Sequence, residues 1–280
     1  MNSRDNYGIN ALEIYRRMYF VRRFELSVVY AHQRGFITTP IYLGIGQESI
    51  ASTLSCFLPK GTPIFAQHRA HSYFLSFGGD PRHLKSELVS SSDIWTNGSG
   101  GSASISSSSI NMFGHSGLMG DQVPIAVGYA LTTGLPTLAV VGDASVEEDY
   151  VMSSVAYAVK KNIPLLLICE DNNLSILTPK SVRRDWEVSE VARAYGAKSF
   201  DIDDDPKTIW ETLSKWDLKE VFVMNVRTTR HYWHAGSGQD ELPKLDRLYD
   251  LKESLKLLGL SNELIQIEDD IDSEVESLWN

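Results

Sequence analysis

The sequence predicts an α/β protein built on a parallel sheet, and three observations predict it. Two short apolar runs, residues 138–141 and 163–169, are rich in Val, Leu and Ile without alternation, as strands buried on both faces are. Each run stops at polar residues, the first at Gly142-Asp143 and the second at Glu170-Asp171-Asn172-Asn173. Between them Val151, Val155, Ala158 and Val159 recur at helical spacing. Glu147, Glu148 and Asp149 fall in the expected first turn, and Lys160 and Lys161 in the last, as the helix dipole favours. The unit is strand, helix, parallel strand.

Such a unit sets the carboxyl ends of neighbouring strands side by side, so Asp143 and Asn172 come within reach of one ion. A carboxylate with an amide oxygen suits a hard cation, Mg²⁺ or Ca²⁺, that completes its shell with water and phosphate oxygens. The expected ligand is therefore a diphosphate, and a helix opening near Ser145 would offer it free backbone N–H groups. A plain βαβ unit with polar strand ends would give the same local pattern.

A chain of 280 residues, 42% hydrophobic and 22% charged, can bury a sizeable core, as one large domain or two smaller ones. The formal charge of −10 and the absence of a long Lys/Arg stripe argue against a nucleic-acid footprint. The acidic clusters at 201–205 and 268–276 read as solvated faces. Cys56 and Cys169, both in apolar surroundings, fit reduced thiols better than a disulfide scaffold. No run approaches membrane-spanning length and residues 1–20 lack the apolar core of a signal peptide, so a cytoplasmic protein is expected.

Residues 10–35 predict a long amphipathic helix, Leu12, Ile14, Tyr15, Met18, Val21, Phe24 and Leu26 facing the core among snorkelling arginines 16, 17, 22 and 23. An extended piece, 36–43, is broken by Pro40, and Gly44-Ile45-Gly46-Gln47-Glu48 opens a second helix. A strand over 63–66 delivers Gln67-His68-Arg69-Ala70-His71, a guanidinium and two imidazoles where a phosphate or carboxylate can be clamped; a satisfied structural histidine is the alternative. Residues 97–109, NGSGGSASISSSS, read as a loop rather than a linker, because the strands after it need parallel partners from before it. Gly114, Gly117 and Gly120 suit close approach of backbone to a flat ligand, or a glycine-rich turn, and a small-residue helix follows over 125–131. A helix through Val188, Val191, Ala192 and Tyr195 ends at Gly196. A strand over 221–226 then runs into Arg230-His231-Tyr232-Trp233-His234, gathering guanidinium and imidazole groups once more. Residues 242–280 predict acidic helices with Leu251, Leu255, Leu258, Leu264, Ile267, Ile271 and Val275 as their apolar stripe.

Taken in order, GQES, HRAH, GGS, QVP, GDA, NN and RHYWH resemble the motifs of alpha subunits of thiamine diphosphate (ThDP)-dependent 2-oxoacid dehydrogenases, over residues 15–275. The resemblance implies a doubly wound parallel sheet with helices on both faces, as one ThDP diphosphate-binding domain over 1–280 with helical extensions at about 10–35 and 242–280. It implies that Asp143, Asn172 and the backbone carbonyl of Leu174 hold Mg²⁺ or Ca²⁺. Tyr42, His68, Arg69, Ala144, Ser145, Arg230 and His234 would surround the cofactor, with backbone at Gly117 and Met119 on its aminopyrimidine edge, and His234 and His71 would be catalytic. The activating glutamate comes, in that family, from the pyrimidine-binding module of a beta-type subunit, so Glu48 reads as structural. The implied assembly is two alpha and two beta subunits with a lipoyl acyltransferase as acceptor, and the implied reaction is decarboxylation of a 2-oxoacid with acyl transfer. The chain departs from the family at Ala144 and Asp149, where the family has glycines, at Ser104 and Tyr232, where the family has histidines, and at Ala235, where some members have a serine that is phosphorylated. Two other readings stay open: the alpha-like subunit of a carboligase or split transketolase-like transferase, and a degenerate non-catalytic subunit.

Overall fold

The computed structural model describes residues 7–89, 100–232, 234–235 and 245–279. Four strands come first, β1 (Ile64–Phe65), β2 (Met112–Phe113), β3 (Thr137–Gly142) and β4 (Leu165–Asp171). A small antiparallel hairpin, β5 (Leu174–Ser175) with β6 (Thr178–Pro179), precedes β7 (Lys198–Asp203) and β8 (Phe222–Arg227). The main sheet has the order β2-β1-β3-β4-β8-β7, and its pairings are parallel.

Alternation along each strand fills two cores. Leu138, Val140, Leu166, Ile168, Phe222 and Met224 enter one, while Ala139, Val141, Leu167, Cys169 and Val223 enter the other. The first core is covered by α1 (Tyr7–Gln33), α2 (Glu48–Phe57), α3 (His71–Ser76) and α4 (Pro81–Leu88). The second is covered by α5 (Gln122–Thr133), α6 (Asp149–Lys160) and, past the single turn α7 (Lys180–Arg183), by α8 (Val188–Ala194). Helices α9 (Pro206–Leu213), α10 (Arg247–Leu257) and α11 (Ser261–Leu278) return to the first. Connections that step toward β7 run over the second face and those that step toward β2 over the first, as right-handed crossovers require. The direction of winding reverses between β1 and β3, so their carboxyl ends flank the crevice where doubly wound sheets bind ligands.

Several expectations change. Ser145–Glu147 is one 3₁₀ turn, Glu148 is extended (φ −64°, ψ 133°) and so interrupts the helical path, and the regular helix begins only at Asp149; the Glu147 carboxylate pairs with Arg183 and Arg184. Arg22 does not snorkel: it bridges buried Glu48 and Asp246. Strand β2 lies within the glycine-rich stretch, and β7 and α9 lie where only an acidic run was legible. In that run Asp201 and Asp203 meet Arg227, Asp204 is buried against Arg247 (2.6 Å), and Asp205 caps α9 through Thr208 N (2.9 Å). Residues 97–99 of the expected loop, Trp233, and 236–244, which include the start of the expected C-terminal extension, lie outside the described residues. No helix among the described residues is long and apolar enough to cross a membrane.

Candidate active site

A cavity of about 240 Å³ opens at the crevice, its walls supplied by the ends of β1, β3 and β4 and by the segment after β8. Gln67 ties the first two ends together, its Nε2 donating to Ser145 Oγ (2.5 Å) and its Oε1 accepting from Gly142 N (3.3 Å) and Gln122 Nε2 (3.2 Å). The segment after β8 is seated by Gly46, whose φ of +98° suits glycine and where a Cβ would strike the Thr229 carbonyl. His231 N donates to Ile45 O there (3.0 Å), which sets Arg230 and His234 on the cavity wall.

One wall is cationic. Arg69 donates to Leu43 O (2.6 Å) and to His234 Nδ1 (2.9 Å), and buried Arg230 donates to Ile176 O (2.9 Å). The Tyr42 ring packs edge-on against His68 (5.0 Å between centroids) and His234 (5.7 Å). Burial, then the Arg69 charge and the neighbouring histidines, hold His68 well below its ordinary range, so it is neutral at pH 7. Its buried Nδ1 has no hydrogen-bond partner among the described residues.

The opposite wall offers oxygens. Burial and the Asp171 charge push the Asp143 carboxyl up to about 6 against the pull of Arg183, whose Nη2 donates to Oδ2. Asn172 accepts at Oδ1 from Leu174 N (3.1 Å) and donates to Gln47 (3.4 Å), and Ala144, Ser145 and Leu174 complete the wall. Glu170 accepts from Tyr73 OH (2.6 Å), and burial pushes its carboxyl up to about 7.

His71, expected to be catalytic, is placed beneath the site instead. It is fully buried, with Nδ1 3.2 Å from Glu25 and Nε2 2.9 Å from Ser102 Oγ, and that hydroxyl accepts from Tyr42 N (2.8 Å). Nε2 is thus used to hold Tyr42 through Ser102, and Nδ1 to hold Glu25, whose carboxylate accepts from Gly44 N (2.9 Å). Gly117 stands off the wall, its N–H donating to His115 Nδ1 (3.0 Å); Met119 is on the wall, with its carbonyl accepting from Tyr150 OH. Ser104 donates to His115 O (2.7 Å). Glu48 is locked in its ion pair with Arg22, in keeping with a structural reading. Gln47, Gln67, Tyr73 and Glu170 line the cavity without having been foreseen as binding residues. Gln67 was within reach of sequence reasoning, as the first polar residues after β1; Tyr73 is brought in by tertiary packing alone.

The walls fit an anion bridged by a hard cation. Two guanidinium groups and an open imidazole nitrogen face a carboxylate and an amide oxygen. Among the described residues no group of three or more His, Cys, Asp or Glu could hold a metal by itself, so a cation here needs further oxygens from the anion and water.

Residues 16–216 match the dehydrogenase E1 component family. The pyruvate dehydrogenase E1 component subunit alpha of Zymomonas mobilis is 27% identical over 290 residues, covering 94% of this chain and 81% of that protein. Its counterpart of the same name in Rhizobium meliloti is 25% identical over 263 residues, covering 88% and 76%. Transketolase from Campylobacter jejuni shares the fold, with a TM-score of 0.61 at 17% identity over 98% of this chain, which spans about half (48%) of the transketolase. With the family match extending over well more than half of its length, the chain belongs to the dehydrogenase E1 component family, whose members are ThDP-dependent enzymes.

Proposed function

We propose that the chain is the alpha-type subunit of a heteromeric enzyme, dependent on ThDP and a divalent cation, that decarboxylates a 2-oxoacid and passes the acyl group to an acceptor. What supports this is the two-sided cavity, with Arg69, Arg230 and the open Nδ1 of His68 across from the oxygens of Asp143 and Asn172. On this reading Asp143, Asn172 and the Leu174 carbonyl would hold Mg²⁺ or Ca²⁺, and the guanidinium groups of Arg69 and Arg230 would bind the diphosphate. Bound there, the cofactor supplies the electron sink for loss of CO₂. His234 accepts at Nδ1 from Arg69, so Nε2 carries its proton and can donate to a substrate oxygen. His68 adds no positive charge while neutral, and Tyr42 fixes both rings from the side. Gly117 and Met119 would meet the aminopyrimidine through their backbone. A beta-type subunit would bring the activating glutamate in a two-alpha, two-beta assembly in the cytoplasm, with a lipoyl acyltransferase as acceptor.

A second reading keeps cofactor and partner and changes the acceptor to an aldehyde. Ser104, where the resembling family has histidine, uses its hydroxyl on His115 O, so the site has one imidazole fewer. Calorimetry of the chain, purified with whatever accompanies it, tests the shared part: saturable ThDP binding with Mg²⁺, weakened about 100-fold or more by Asp143→Ala. Equal binding by that variant would sink the assignment. Lipoyl reduction against C–C bond formation then separates the two acceptors.

A further inference from the structure

Asp143 is not reserved for the cavity. Arg183 Nη2 donates to its Oδ2 (2.5 Å), and Nη1 of the same guanidinium donates to Glu147 Oε1 (2.5 Å). Arg184 stands alongside, donating to the Asp143 carbonyl and to Glu147 (2.9 Å) and packed 4.5 Å from the Trp186 ring centroid. Two carboxylates and two guanidinium groups thus balance one another. A dication drawn to Asp143 meets a carboxylate whose charge is already offset, with a like charge on its other side, in a site too buried for water to screen fully. Glu147 is a ready alternative partner: it is a quarter exposed, already bonded to Arg183, and set on a single 3₁₀ turn, while Arg183 itself rides on the one-turn helix α7.

We propose that Arg183 is a counter-ion which a divalent cation must draw off Asp143, and that Glu147 receives it, so that the Arg183–Glu147 pair sets the cation affinity of the site. This rests on the reading of Asp143 as a cation ligand given above. Loading is then a hand-over: the guanidinium slides from two carboxylates to one as the cation takes the other.

The test titrates Mg²⁺ by calorimetry into the full chain and its partner at saturating ThDP, with Mn²⁺ alone, read by electron paramagnetic resonance, as a measurement free of diphosphate. Arg183→Gln is expected to bind either cation about tenfold more tightly, the order of one charge interaction at a partly solvated site. Glu147→Gln is expected to bind more weakly, roughly three- to tenfold, because Arg183 then keeps Asp143 as its acceptor. The double variant is expected to follow Arg183→Gln. Unchanged or weaker cation binding by Arg183→Gln overturns the proposal, and so does a Glu147→Gln effect that persists in the double variant. Should Arg183→Gln not fold, Arg183→Lys replaces it, with affinity expected between wild type and tenfold tighter; no gain overturns the proposal. A wild-type complex that binds ThDP but no cation removes the assignment of Asp143 as a ligand, and this inference with it.

Discussion

Glu170 gives the pH response a sign. Its carboxyl is pushed up to about 7 by burial, from an ordinary value of 4.5, so between those pH values the folded chain holds a proton that the unfolded chain has released. The stability that Glu170 contributes therefore falls as pH rises from about 4.5 to 7 and is level above that; Asp143 contributes the same sign from 3.8 to about 6, and His68 and His115, both held low by burial, contribute the opposite sign below about 6.5. Glu170→Gln keeps an acceptor for Tyr73 and is expected to stabilise by about 2–3 kcal/mol at pH 8 while changing little near pH 4.5. Thermal melts at the two pH values check this, and an equal gain at both would point to packing instead. Residues of this kind were legible where an apolar run stops: Asp143, Asn172, Arg69 and Arg230 each follow a strand and reach the cavity. His71 carries the same local signal as His68. It is parted from it only because α3 begins at His71 and turns the ring down toward Glu25, a tertiary fact with no trace in the local pattern.

Elements were legible in proportion to how purely apolar they are. Strands β3, β4 and β8 are buried on both faces and announce themselves, whereas β1 and β2 have two residues each, too few to show a pattern. Strand β7, at the edge of the sheet, has one buried position, Ser199, among half-buried and exposed ones, and Asp201 and Asp203 make it read as a charged surface. The acidic run nonetheless holds the fold. Asp204→Ala leaves the mostly buried Arg247 only the more distant Asp250 (3.8 Å) and takes the acceptor from Thr228 Oγ1, and is expected to cost about 3 kcal/mol in urea unfolding. Asp205→Ala, which removes the cap of α9, is expected to cost about 1 kcal/mol by the same measurement. Gly46→Ala is expected to act differently. Its left-handed backbone and its approach to the Thr229 carbonyl would displace the segment bearing Arg230, so ThDP affinity should fall in calorimetry by a larger factor than the melting shift alone accounts for.

For the molecule as a whole, stability is graded across the sheet. Amide hydrogen exchange is expected to be slowest in β3, β4 and β8, covered on both faces, and fastest in β2, β7 and the 174–179 hairpin. The helical layer on the first face is closed by its two most distant members. Tyr15 donates to Glu268, Tyr19 and Arg23 meet Asp272 (3.1 and 2.6 Å), and Trp279 donates to Ser27 Oγ (2.9 Å). Tyr15 and Glu268 are 253 residues apart. A ribosome adding about 5–20 residues per second takes roughly 13–50 s to travel between them. Throughout that time the apolar side of α1 lacks α11, one of the helices that cover it. The core on the first face is therefore left open along α1, at Tyr15 and Tyr19 among others, until α11 has been made.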